Sequence, residues 1–234
     1  MCGRYVAPDE RALEQYWHYK FEGAQLAGQM RENLATFSRV NYNTVVTQMV
    51  PVERIGENGR EIVPMRWGMD RIEPGGTIAA KKLNNARKEG YKRTPPFVAA
   101  WKKGRRGIQL VMGYYEWKAT VEGKKLPYYI RPSDQGETFG LAALWDEAAD
   151  GSGLLTCTHI TMPPNPLIAS IHDRMPAILR LADHDKWLSG TPEEAASCLE
   201  PYPAEHLTMR RVSTRVNSTR NNDACLLDPE DDSP

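Results

Sequence analysis

A cysteine at position 2 offers two nucleophiles on adjacent carbons once Met1 is removed. A small second residue permits that trimming, which leaves an α-amine of pKa about 7.7–8.0 beside a thiol of about 8.5. An aldehyde meeting the pair forms an imine with the amine, and the thiol then closes a five-membered thiazolidine, more durable than the imine alone. Position 2 also accepts a small residue for no chemical reason, so its neighbours decide the reading. Met1-Cys2-Gly3-Arg4-Tyr5 sets a glycine next to Cys2, which allows a ligand to approach the backbone closely. It also sets a cation, Arg4, where a phosphate would be held.

Three further stretches join a proton-transfer or orienting residue to a cation or an aromatic ring: Asn85-Ala86-Arg87-Lys88-Glu89, Gly113-Tyr114-Tyr115-Glu116-Trp117 and Ile171-His172-Asp173-Arg174-Met175-Pro176. Glu116 stands in an apolar, aromatic run that would desolvate it and raise its pKa toward a useful acid–base range. It would serve equally well as an edge carboxylate paired with a nearby lysine. His172 with Asp173 also reads as a surface turn, and Asn85 as a turn residue. Trp67 and Trp117 are shaped to stack on bases, though tryptophan in a strand is commonly core.

Thirty basic residues balance thirty acidic ones, but unevenly. Between Lys81 and Arg131 there are 14 Lys and Arg against Glu89, Glu116 and Glu122. From Pro132 to Met209 there are 12 acidic residues against Arg174, Arg180 and Lys186, and the chain closes on an acidic Asp228–Asp232 run. Such a basic block would neutralise phosphates, or would simply be a solvated face. Cys2, Cys157, Cys198 and Cys225 form no CxxC pair, which argues against a disulfide framework or a zinc site. No cofactor or metal is expected. With neither a signal-like start nor a membrane-length apolar run, the expectation is a cytoplasmic monomer in a reducing compartment, nucleoid-associated if bacterial.

The elements that would position these residues follow from periodicity. Met1 to Pro8 reads as extended. Asp9 opens an amphipathic helix carrying Leu13, Tyr16 and Trp17, and Leu26, Met30 and Leu34 mark a second. Strand-like runs follow at Thr44–Ile55, Arg60–Met69, Ile108–Trp117, Pro127–Arg131, Thr138–Trp145 and Leu154–Met162. A short helix is expected over Asp183–Leu188, and Thr191-Pro192-Glu193-Glu194 resembles a capping box. The simplest assembly is one α+β domain over residues 1–225, with a largely antiparallel, barrel-like sheet flanked by a few helices. Residues 226–234 are expected to form an acidic, disordered tail.

The Met-Cys-Gly-Arg start and the Asn-Ala-Arg, Gly-Tyr-Tyr-Glu-Trp and His-Asp-Arg-Met-Pro stretches stand in the order seen in the SRAP family of SOS-response-associated peptidases, which includes abasic-site sensors. Tyr42-Asn43, Trp67-Gly68, Thr156–Asn165, Val212-Ser213 and Val216-Asn217 also match, so the chain resembles this family from Cys2 to about Asn221. The resemblance implies a barrel-like sheet with a basic cleft for single-stranded DNA. It also implies a thiazolidine link between the N-terminal cysteine and a ring-opened abasic sugar. At matching positions Cys2 would be the nucleophile, Asn85 would orient the amine or the sugar, Glu116 would be the general acid–base, and His172 would assist proton transfer at the sugar oxygen. Arg4, Arg87 and Arg174 would hold flanking phosphates, while Asn43, Trp67, Trp117 and Thr161 would line the DNA path. The chain departs from the family at Val46, where a proline is usual, and at Gly107 and Leu110, which replace a cysteine and a proline.

Two other readings use the same residues. A Cys2 thiolate paired with His172 and oriented by Asn85 or Asp173 has the residue types for acyl transfer, with Met1-Cys2 the peptide bond in obvious reach. A non-enzymatic nucleic-acid-binding module would use only the Lys81–Arg131 block.

Overall fold

The computed structural model describes residues 3–22, 25–26 and 28–230. Cys2, the proposed nucleophile, lies outside the described residues.

The first strand, β1 (Arg4–Ala7), leads into helix α1 (Glu10–Lys20), whose start is set by Asp9 accepting the Ala12 N–H at 2.9 Å. Leu13, Tyr16 and Trp17 share the buried face of α1, as their spacing predicts. Helix α2 (Gly28–Ala35) buries Met30 and Leu34; Leu26 is buried ahead of it, outside the helix.

The single run expected over Thr44–Ile55 is two strands, β2 (Asn41–Val45) and β3 (Met49–Gly56). The chain turns at Thr47, whose φ of 80° is unusual for a β-branched residue. Trp67 holds the turn through its backbone: Thr47 N–H donates to Trp67 O at 2.8 Å, and Trp67 N–H donates to Gln48 O at 2.9 Å. β4 (Gly59–Trp67) forms a hairpin with β3, and β5 (Asn85–Arg87) and helix α3 (Phe97–Lys102) follow. The run expected over Ile108–Trp117 is likewise two strands, β6 (Arg106–Val111) and β7 (Gly113–Ala119), broken where Met112 N–H donates to Val6 O. Alternation alone does not reveal these breaks, because both halves of each run are buried.

After β7 come β8 (Lys125–Pro132), β9 (Phe139–Glu147) and β10 (Leu155–Met162). Helix α4 (Pro166–Ala169) and the short strands β11 (Met175–Pro176) and β12 (Ile178–Leu179) follow. Helices α5 (His184–Ser189) and α6 (Pro192–Ser197) precede the last strand, β13 (Leu207–Arg211). The capping box at α6 is present in full, Thr191 accepting from Glu194 N–H while Glu194 accepts from Thr191 N–H.

Two sheets result. An antiparallel five-stranded sheet runs β13-β8-β7-β1-β2. The other closes on itself: β4-β3-β6-β9 is antiparallel, and β10 pairs β9 on one side and, in parallel, β4 and β5 on the other. The chain is an α+β domain on a largely antiparallel, barrel-like sheet. The crossings at Thr47 and Met112 carry it between the sheets, and Tyr5 of β1 packs on Trp67 of β4 at 4.8 Å between ring centroids.

Ordered packing continues past residue 225, the expected domain end, as far as residue 230; residues 231–234 of the expected tail lie outside the described residues. Leu226 is fully buried, Val212 bridges Pro229, and Glu230 N–H donates to Arg211 O. The acidic composition that suggested a tail from 226 hides an apolar anchor, Leu226-Leu227, that packs on the five-stranded sheet's cluster.

Two tight packings carry stability predictions. A Cβ on Gly113 would lie 2.3 Å from the Tyr129 ring, whose hydroxyl donates to Met112 O. Gly113→Ala should therefore cost about 1–3 kcal/mol by overpacking, read from urea denaturation. Burial also holds His159 and His184 neutral, lowering both imidazoles to about 3. Below the ordinary histidine value of about 6.5 the unfolded chain takes up protons that the folded chain refuses. Stability is thus fully present above that pH and falls as the pH drops toward 3. The slope reaches at most about 1.4 kcal/mol per pH unit for each histidine. Urea titrations across this range check it, and His184→Gln should flatten the slope by one histidine's share.

Candidate active site

β7 delivers Glu116 and Trp117 to one end of the five-stranded sheet. Glu116 is only 2% exposed, and the Trp117 N–H donates to its Oε1 at 3.3 Å. The 171–174 turn after α4 brings His172 to it, with Nε2 at 3.8 Å from Glu116 Oε1. The Arg174 N–H donates to His172 Nδ1 at 2.9 Å, which makes Nδ1 an acceptor and puts the imidazole proton on Nε2, toward Glu116. Asp173, the alternative partner, is at 3.1 Å from Nδ1 but 88% exposed. A buried carboxylate facing an Nε2–H is an arrangement able to pass a proton to or from a bound substrate.

Arg4 stands beside this pair. Its Nη1 donates to Asn43 Oδ1 at 2.7 Å and to Val216 O at 2.5 Å, and its guanidinium lies 5.8 Å from the centre of the Trp117 ring. Burial lowers the Arg4 pKa, yet a guanidinium remains charged at any ordinary pH. Trp117 is fixed in turn by its Nε1–H, which donates to Asn217 Oδ1 at 2.8 Å. Arg4, Glu116, Trp117, Lys125, His172 and Asn217 line one open cavity of about 400 Å³. Lys125 and Asn217 are members that sequence reasoning did not single out. Lys125 is one cation among many in the basic block, and Asn217 enters the sequence reading only as part of the Val216-Asn217 match, with no role attached.

A second cavity of about 460 Å³ is lined by Asn85, Arg87, Glu89, Gly90, Thr94, Phe97 and Arg174. The 172–174 turn links the two, with His172 in the first and Arg174 in the second. Arg174 is held in a fork: Nη1 and Nη2 meet the Glu89 carboxylate at 2.8 and 3.0 Å, and Nη2 also donates to Thr161 O at 2.6 Å. That pairing lowers the Glu89 pKa. Arg87 is exposed.

Three residues expected to line a DNA path are instead interior. Trp67 is fully buried against Tyr5 and His159 and donates its Nε1–H to Asn84 O at 3.0 Å, so its faces are covered by protein. Thr161 is fully buried and meets Arg174 through its carbonyl. Asn43 is 3% exposed, its Nδ2 donating to Val216 O, Ser218 O and Asn221 O at 3.2, 3.0 and 2.8 Å. These three shape the site from beneath, because polar groups in a covered position satisfy backbone before they meet a ligand.

Nor is the Lys81–Arg131 block a continuous basic face. Lys82 pairs with Asp70, Arg105 with Asp146 and Glu147, and buried Arg106 clamps the carbonyls of Trp187 and Gly190. The cations at the cavities are Arg4, Lys125, Arg87 and Arg174, from four separate parts of the chain. Among the described residues, no group of three or more His, Cys, Asp or Glu is placed to hold a metal ion, and no helix is long and apolar enough to cross a membrane.

The family model described as SOS response associated peptidase (SRAP) matches residues 1–219. The chain belongs to the SRAP family. Among curated SRAP relatives, the abasic site processing protein YoaM of Bacillus subtilis is 34% identical over 197 residues, covering 81% of this chain and 85% of YoaM. The abasic site processing protein HMCES of Xenopus tropicalis is 33% identical over 190 residues, covering 70% of this chain and 56% of HMCES. A crystal structure from Bordetella bronchiseptica aligns with a TM-score of 0.72 at 26% identity, covering 91% of this SRAP chain and all of that one. One from Bacteroides thetaiotaomicron, at 20% identity, has the same fold with a TM-score of 0.77 and covers 98% of this chain.

The Asn43 hub yields a prediction. Asn43→Leu removes the donor that three carbonyls of the 216–221 segment share, along with the acceptor for Arg4. A loss of about 3 kcal/mol in urea denaturation is expected, whereas an Asn43 that served only as a surface contact would leave stability unchanged.

Proposed function

We propose that this SRAP chain processes abasic sites in single-stranded DNA, as a monomer, by bonding covalently to the lesion through Cys2 after Met1 is lost. The observation that carries the reading is the buried Glu116 carboxylate facing His172 Nε2 beside Arg4, which follows Cys2 by two residues. The names of the relatives, abasic site processing proteins, agree with it.

The chemistry runs in balanced steps. The abasic sugar opens to an aldehyde, with a proton passing to the ring oxygen. The Cys2 amine attacks C1′, and the carbinolamine loses water to give an imine. The thiol then adds its sulfur to the imine carbon and its proton to the nitrogen, closing the thiazolidine. Glu116 supports this by taking the amine proton and returning it to the departing water. His172, with its proton on Nε2, serves the sugar oxygen, and Asn85 orients the amine. Arg4, Arg87 and Arg174 hold the flanking phosphates and Trp117 offers a ring face to a base. Asn43, Trp67 and Thr161 contribute through Arg4, Asn85 and Arg174. Since phosphate contacts carry no base information, sequence preference is weak.

The test is a denaturing gel and intact mass after mixing with a single-stranded oligonucleotide bearing one abasic site. Wild type lacking Met1 should give a one-to-one adduct that loses one water in all. Cys2→Ala and protein retaining Met1 should give none. Glu116→Gln should slow formation by about a hundredfold or more. Equal adduct yield from Cys2→Ala would overturn the mechanism, and turnover of added peptides dependent on Cys2 would favour a cysteine peptidase instead.

A further inference from the structure

Beneath the candidate active site, the core contains polar side chains that neither packing nor the proposed chemistry accounts for. His159 on β10 is 1% exposed and Gln109 on β6 is fully buried. His159 donates Nδ1–H to Gln109 Oε1 at 3.3 Å, while Gln109 Nε2 and the Tyr5 hydroxyl are buried without a hydrogen-bond partner among the described residues. The imidazole lies against Trp67, with centroids 5.4 Å apart, and Trp67 grips the carbonyl of Asn84 through its indole N–H. An apolar trio would fill this space at less cost to stability, because a buried polar atom without a partner is penalised.

The neighbour of His159 explains the choice. β10 and β5 run parallel, and His159 is in register with Asn85. Residues in register on adjacent strands project their side chains to the same face. Both carry buried polar atoms that have no hydrogen-bond partner among the described residues: Nε2 of His159, and Nδ2 and Oδ1 of Asn85. The sets are complementary. With the proton of His159 committed on Nδ1 to Gln109, Nε2 is left as an acceptor, and the Asn85 carboxamide has N–H groups to give. Burial lowers His159 to about 3, so the ring stays neutral and its acceptor persists across the neutral range.

We propose that His159, held by Gln109 and Trp67, is a positioning residue that sets the orientation of the Asn85 carboxamide. Asn85 Nδ2–H is relayed to His159 Nε2 through one buried water, which leaves Oδ1 turned as an acceptor toward the reacting amine. The Gln109–His159 pair thereby ties the interior of the barrel, between β6 and β10, to the orientation of Asn85. This rests on the reading of the site as a trap for abasic sugars.

Single-turnover crosslinking of the full chain to a single-stranded oligonucleotide with one abasic site tests the proposal. Binding to the same strand carrying a tetrahydrofuran analogue is measured separately by anisotropy. His159→Leu should lower the limiting crosslinking rate by about tenfold, the scale of a misplaced reacting group. Affinity for the analogue should stay within about twofold, while Tm falls modestly in both His159→Leu and Gln109→Leu, since each leaves the other's buried polar atom unpaired. The His159→Leu/Asn85→Ala double variant should be no slower than Asn85→Ala alone, since both act through one group. Gln109→Leu, which frees the imidazole tautomer, should slow the reaction less than His159→Leu. Wild-type rate in His159→Leu overturns the proposal. So does a double variant slower by the product of the two single effects, or a rate loss matched by a fall in affinity. A wild-type chain that forms no adduct would instead overturn the function itself.

Discussion

β10 is the strand on which the molecule depends. One of its edges pairs with β9, and the other is shared in parallel by β4 and β5, so the same eight residues close the ring and carry the short strand bearing Asn85. Its C-terminal end pairs with β11 and so fixes the turn that presents His172 and Arg174. A slip of one residue along β10 would invert every side chain on it. His159 would leave the face it shares with Asn85 and Arg174 would lose its carbonyl, so barrel closure and site assembly are one structural event.

The site is electrostatically economical. Four cations reach its two cavities, but two of them are committed: Arg4 to Asn43 and Val216, Arg174 to Glu89 and Thr161. Charges held this way lose little conformational entropy when a phosphate arrives. The carboxylate of Glu116 sits buried beside Arg4 and His172, so its charge is balanced by groups fixed in place before any ligand arrives.

Much of this was legible in the sequence, and the failures have physical causes. Helix α1 follows from Asp9 and the Leu13-Tyr16-Trp17 face, and the capping box at Thr191 from four letters. Glu116 and His172, 56 positions apart, could be joined only through the family resemblance, because nothing local marks the turn that brings them together. Trp67 and Asn43 were misread because stacking rings and amides are the same side chains that fill cores and satisfy backbone. The choice rests on what covers the face of the strand they occupy, and the partners that cover it, Tyr5 and His159 for Trp67 and the 216–221 segment for Asn43, are distant in sequence. Gly107 shows why a departure from the family pattern can be silent: a Cβ there would stand 2.7 Å from Val52 Cγ1, so the core has already closed around the glycine. His159 and Gln109 drew no notice, since a buried polar pair looks in sequence like two ordinary strand residues.

The bond from Arg4 to Val216 spans 212 positions, and that separation has a consequence in time. During synthesis the first strand emerges early, but its clamp does not exist until residue 216 has left the ribosome, roughly ten to forty seconds later at ordinary elongation rates. For that interval β1 lacks the contact of Arg4 with the 216–221 segment. Under the proposed mechanism, Met1 would have that interval in which to be trimmed before the site assembles, a delay set by the separation of Arg4 from Val216.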